Sequence, residues 1–165
     1  MKKFELTSET KINIFGKKLF RIKALISFGN VEAGETGGWV EKEENLNQSG
    51  DAWVFDNAEV FDNARVFGDA EVFGNAEVFD NARVSGNAWV SGNADYATIH
   101  GFGTQFRTTT FFRCKDKQVK VSCGCFYGTI SEFREQVKNT RKGKIAEEYL
   151  MIADLMEKHF AEEAK

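Results

Sequence analysis

Valine recurs at every sixth residue through the middle of the chain, at Val54, Val60, Val66, Val72, Val78, Val84 and Val90. Alanine keeps the same interval two places ahead, at Ala52, Ala58, Ala64, Ala70, Ala76, Ala82, Ala88 and Ala94. So strict a period is the mark of stacked units. Six matches neither the 3.6-residue stripe of an α-helix nor the 3.5-residue seam of a coiled coil, and each block also contains turn formers. Written from Val54, the blocks read VFDNAE, VFDNAR, VFGDAE, VFGNAE, VFDNAR, VSGNAW and VSGNAD, with QSGDAW before them and a degraded YATIHG after. Within a block the run Ala, x, Val alternates inward, outward, inward as a short strand does. The Gly/Asp and Asn/Asp pair that follows tolerates the left-handed backbone of a corner, and its Asx side chains are expected to satisfy their own corner amides.

Strand plus corner makes one side of a triangle, so three blocks of about 18 residues close one coil, and coils stack at about 4.8 Å. Nine blocks, from Gln48 to Gly101, would make three coils. Small alanine and stiff valine suit a narrow interior. The expected fold class is therefore mainly β, a parallel β-helix of about three coils with an N-terminal β-hairpin cap and a C-terminal β-hairpin plus two α-helices. Its expected divisions are 1–47, 48–107 and 108–165.

Residues 18 apart should lie above one another, which sorts the exterior into three faces. One holds Trp53, Glu71 and Trp89 beside Phe55, Phe73 and Ser91. The second holds Glu59, Glu77 and Asp95 beside Phe61, Phe79 and Ala97, and the third holds Arg65 and Arg83 beside Phe67 and Ser85. One face is acidic and another basic. Outward phenylalanines and tryptophans form a larger apolar surface than a soluble monomer exposes, so something should cover them. Either the terminal segments do so, or copies of the chain meet as a dimer or trimer with acidic faces against basic ones, or a partner docks there. Trp53, Phe55, Phe61, Phe67, Phe73, Phe79, Trp89, Glu59, Glu77, Arg65 and Arg83 are the interface candidates.

Ahead of the repeat, Lys11 to Leu25 alternates apolar residues around Gly16-Lys17-Lys18 and reads as a β-hairpin. Gly29 to Leu46 then forms a loop and a strand that cap the first coil, since open coil ends are edges that need covering. Beyond the repeat, Thr108 to Cys114 and Gln118 to Phe126 flank a Lys115-Asp116-Lys117 turn as a second hairpin. Thr129 and Glu132 match a capping box, with Ile130, Phe133 and Val137 on one stripe. A final helix from about Ile145 aligns Tyr149, Ile152, Met156 and Phe160.

Other chemistry is sparse. A net charge of −3 over 165 residues, with no long charged run, gives no reason to expect nucleic-acid binding. Lys2 and Lys3 precede a mixed polar stretch, Phe4 to Thr10, and no apolar run of about 18 residues occurs, so a cytoplasmic protein off the membrane is expected. Cys114, Cys123 and Cys125 are too few and poorly spaced for paired zinc knuckles, and a neighbouring pair on one hairpin strand is ordinary packing. His100 is the one candidate for a general base, but it lies in the degraded block where the coil ends. No catalytic residue, metal or cofactor is assigned.

The stretch Ile22 to Val60, with its GGWV phrase followed by GDAWV, resembles the lead-in of YdcK-like hexapeptide-repeat proteins. The full three-part layout, including TTFFRCKDKQVKVSCGCFYGTISEF, is similar to that of small phage and prophage hexapeptide-repeat proteins. The resemblance implies the left-handed form of the β-helix, an exception to the usual crossover hand. It also implies a non-enzymatic accessory protein in the host bacterial cytoplasm that binds a host protein or a nucleotide signal and inhibits a defence system, as an anti-CRISPR does. A hexapeptide-repeat acyltransferase and a virion structural protein are the alternatives.

Overall fold

The computed structural model describes residues 2–161. The chain is mainly β with two C-terminal helices, and residues 1 and 162–165 of the outer divisions lie outside what is described. Two antiparallel strands come first, β1 (Phe4–Ile12) and β2 (Lys18–Ala24), and β2 also pairs antiparallel with β3 (Thr36–Val40). The hairpin is longer than the Lys11–Leu25 pattern suggested, because Phe4 to Leu6 pair back to Ile22–Ala24 across a bulge.

Seven two-residue strands follow at six-residue intervals: β4 (Trp53–Val54), β5 (Glu59–Val60), β6 (Arg65–Val66), β7 (Glu71–Val72), β8 (Glu77–Val78), β9 (Arg83–Val84) and β10 (Trp89–Val90). Each pairs in parallel with a strand 18 residues away, and β5 also with β3 20 residues behind it, giving a face β3-β5-β8, a face β4-β7-β10 and a face β6-β9 that Leu46 extends through a bridge to Val66. Two backbone bonds join each pair of rungs, as Trp53 N to Ala70 O (3.0 Å) and Phe55 N to Val72 O (2.7 Å) do. Every repeat valine, and every repeat alanine from Ala52 to Ala88, is buried. The third residue of the block takes the left-handed backbone at six successive corners, as aspartate at Asp56, Asp62 and Asp80 and as glycine at Gly68, Gly74 and Gly86. One corner aspartate bonds across rungs instead of to its own amide: Asp62 Oδ2 accepts from Asp80 N.

The winding is shifted along the chain from its sequence reading. It starts two sides earlier, at β3 and Leu46, and Gly37 and Gly38 press β3 so close that a Cβ on either would lie 2.6 Å from the carbonyl oxygen of Val54 or Ala58. This is the physical content of the GGWV phrase. It also stops earlier. Gly92 occupies the corner position of its block but is extended (φ −170°), Ala94 is exposed, and the chain leaves for a different sheet. Thus VSGNAD and YATIHG are not coil sides.

That second sheet runs antiparallel in the order β11 (Tyr96–Phe102), β12 (Arg107–Arg113), β13 (Val119–Cys123) and β14 (Phe126–Thr129). Helices α1 (Ile130–Thr140) and α2 (Gly143–Phe160) pack on it, burying Phe133, Val137, Tyr149, Ile152, Met156 and Phe160 around Phe111 and Val121. The Thr129–Glu132 capping box forms in both directions. The other side of the sheet closes the far end of the winding. Phe112 and Cys114 join the valine–alanine core, Lys115 N bonds Asn87 O, and Arg83 N donates to Thr110 Oγ1.

At the near end two extra residues fall between Leu46 and Val54, so that Leu46 pairs 20 residues ahead rather than 18. Lys3 reaches into this wider corner. Its Nζ donates to Gly50 O (3.2 Å) and Ala52 O (2.7 Å), and Gln48 Oε1 accepts from the backbone N–H groups of Lys3 and Phe4. Burial there pushes the Lys3 ammonium down to about 8, against a smaller opposing pull from Asp51.

Candidate functional site

The three outer faces share one backbone pattern and differ in what covers them. On the β3-β5-β8 face, Phe61 and Phe79 stack almost parallel (5.2 Å, 7°), and Phe15 from the tip of the first hairpin lies against both, at 5.7 and 5.6 Å. Phe61 is 1% exposed as a result. Glu59 and Glu77 are direct cross-strand neighbours, an arrangement that is destabilising unless the charges are offset. The hairpin offsets it: Lys11 Nζ lies 3.0 Å from Glu59, Asn13 donates to Glu59, and Lys17 pairs with Asp62 at 3.0 Å. Glu77 in turn accepts from Asn93.

On the β4-β7-β10 face Trp53 is sealed by Phe4 and Phe28, both edge-on at 6.1 and 5.3 Å, and is 1% exposed. Trp53 and Phe61 are therefore corrected from interface candidates to core residues, because the chain's own N-terminal segment takes the place that a partner would fill. Lower on the same face Glu71 is neutralised by Lys115 (3.1 Å). Trp89 tilts against Phe73 at 5.6 Å and stays 47% exposed. Phe55 and Phe73 are half-buried.

The third face is different. Arg65 and Arg83 sit side by side on β6 and β9, both exposed, with Arg83 over the ring of half-buried Phe67 at 5.2 Å. Among the described residues no carboxylate lies within 4.0 Å of either guanidinium. Glu44 shares a shallow groove with Arg65 but forms no ion pair with it, and Lys42 lines the same groove. Two like charges on neighbouring rungs are thus left uncompensated, whereas Glu59, Glu71 and Glu77 each have a partner.

No protein-family model matches this chain, and no curated protein is significantly similar to it.

The remaining candidates are kept apart by the register. Cys114 lies at the turn end of the β12–β13 pair, while Cys123 is at the other end opposite Thr109, whose hydroxyl donates to its sulfur. Burial pushes the Cys114 thiol up to about 12, making it a core residue rather than a nucleophile. His100 is exposed on β11, its Nδ1 3.2 Å from Thr108 Oγ1. No helix among the described residues is long and apolar enough to cross a membrane.

Sequence patterning identified Arg65 and Arg83 but not the residues that make them stand out. Lys11, Lys17 and Lys115 belong to hairpins distant in sequence from Glu59, Asp62 and Glu71. Only the docking of those hairpins shows which charges are satisfied.

Proposed function

We propose that this protein is a non-enzymatic phage or prophage accessory factor of the YdcK-like hexapeptide-repeat type. In this reading its repeat is a left-handed parallel β-helix, and Arg65, Phe67 and Arg83 are presented to an acidic patch on a host protein, inhibiting a bacterial defence system from within the cytoplasm. The observation that supports it is the arginine rung without a carboxylate partner, beside ladders whose glutamates each have a lysine or an amide partner. An acidic partner would remove the repulsion between the two guanidiniums, and Phe67 beneath Arg83 holds one of them in place, so less order is lost on binding. Self-association has a smaller surface than the sequence suggested. With the acidic face occupied by the hairpin, a second copy would meet this one through Phe73 and Trp89.

The test is phage plating on hosts with and without a defence system, expressing the wild-type chain or Arg65→Glu/Arg83→Glu. Rescue of plating on defended hosts alone, lost in the charge-reversed variant while its thermal midpoint is unchanged, is the expected result. Equal plating effects on defended and undefended hosts would sink the reading.

A further inference from the structure

The C-terminal module contains a cavity of about 160 Å³ that the repeat plays no part in. Its floor is apolar, made by Phe102, Phe126, Phe133, Val137 and the ring of Tyr149. Two exposed arginines line it from separate elements, Arg107 at the start of β12 and Arg141 at the residue that ends α1. Neither has a carboxylate within 4.0 Å among the described residues; Arg107 donates to Gln105 Oε1 (2.6 Å) and Arg141 only to the Thr140 carbonyl (3.4 Å). No aspartate or glutamate lines the cavity, although the chain as a whole is acidic. Both formal charges at the site are therefore positive.

The backbone makes room for these groups. A Cβ on Gly124 (φ +60°) would fall 1.9 Å from Arg107 Nη1, so the guanidinium lies across the β13–β14 turn in space that only glycine leaves. A Cβ on Gly103 (φ +79°) would fall 2.4 Å from the hydroxyl of Tyr149. Burial raises the affinity of that hydroxyl for its proton, which keeps it a neutral donor beside the thiol of Cys123.

We propose that this cavity binds a small organic phosphate, with its phosphoryl oxygens between Arg107 and Arg141 and its flat or apolar body on the phenylalanine floor. A phosphate monoester carries about −1.5 to −2 at neutral pH, which matches two guanidiniums better than a carboxylate does. The volume is below the roughly 300–1,000 Å³ typical of drug-sized ligands, so the body is compact, of the size of one ring. The site does not involve the arginine face of the repeat, so either can fail without the other.

Calorimetric titration of the full chain with phenyl phosphate tests the chemistry, with phenol, inorganic phosphate and uridine monophosphate as the other arms. Phenyl phosphate should bind with a Kd below about 1 mM, inorganic phosphate more weakly and phenol not measurably. Saturable binding of uridine monophosphate would assign the phosphate to a nucleotide; its failure beside phenyl phosphate binding would assign it to a smaller ester. Arg107→Gln and Arg141→Gln should each weaken binding about 10-fold or more, as loss of a charge-assisted hydrogen bond does, with the melting curve unchanged. The proposal is overturned if neither ester binds at about 10 mM, ten times that limit. It is likewise overturned if both arginine variants bind as the wild type does, or if inorganic phosphate binds as tightly as phenyl phosphate.

Discussion

The acidic and arginine faces are built on the same six-residue pattern, yet one is closed and the other open. Glu59 lies under a hairpin that brings Lys11 and Asn13 to it, pairs Lys17 with Asp62 at the next corner and places Phe15 on the Phe61–Phe79 ladder, while Glu77 accepts from Asn93. Arg65 and Arg83 have an equivalent ladder position and no such cover. A repeat therefore specifies which side chains share a face, while the segments outside it decide which faces remain available. Exposure in a wound repeat is a property of its flanks.

The strongest way to break the comparison is to damage what both faces share. Val72→Asp places a charge among valines and alanines that are all buried, so a loss of more than about 4 kcal/mol is expected, enough to abolish cooperative melting by circular dichroism. The next test separates covered from uncovered ladders. Phe61→Ala should cost about 3–5 kcal/mol in urea denaturation, as removal of a fully buried ring does, whereas Trp89→Ala should cost roughly 1 kcal/mol or less. Equal losses would show that Trp89 is as enclosed as Phe61.

The pH dependence sharpens the contrast between the two ends of the winding. Lys3 is near 8 folded and 10.5 unfolded, so between those values the unfolded chain holds more protons and Lys3 makes stability rise with pH. Cys114 behaves oppositely. It is near 12 folded and 9.0 unfolded, so the unfolded chain loses its proton first and stability falls as pH climbs from 9 towards 12. Denaturation midpoints should rise from pH 8 to 9, level off between 9 and 10.5 where the two contributions oppose, and decline above 10.5, with Cys114→Ala flattening the decline and Lys3→Met removing the rise. A midpoint that falls steadily from pH 8 would contradict the burial of Lys3. The smallest effect is expected for Arg65→Glu/Arg83→Glu, within about 0.5 kcal/mol of wild type, since neither guanidinium has a carboxylate to lose and Arg83 gives up only an exposed contact with the Phe67 ring.

Much of this architecture was legible in the residues. The valine and alanine period named the inward positions and the rungs, and the capping box at Thr129 placed the start of α1. Where the winding begins and ends was not legible, because Gly92 and Ala94 repeat the letters of their predecessors while the chain departs for β11. That departure depends on what lies below: Glu77 N bonds the side chain of Asn93 instead of another rung, and the Tyr96 hydroxyl bonds the Glu77 carbonyl. Nor could the pattern reveal the cavity. Arg107 and Arg141 come from separate elements of the C-terminal module, and only the four-stranded order of that sheet, where a single hairpin was expected, brings them together.

Both extremities of the wound region are occupied by the chain's own modules. At the far end Cys114, Lys115 and Thr110 take hydrogen-bonding groups of the last rungs, and at the near end β2 and Lys3 take those of the first. Among the described residues these modules sit where a second molecule would have to continue the stack. Stacking one copy end to end on the next would require displacing them, which disfavours growth into an open-ended fibre.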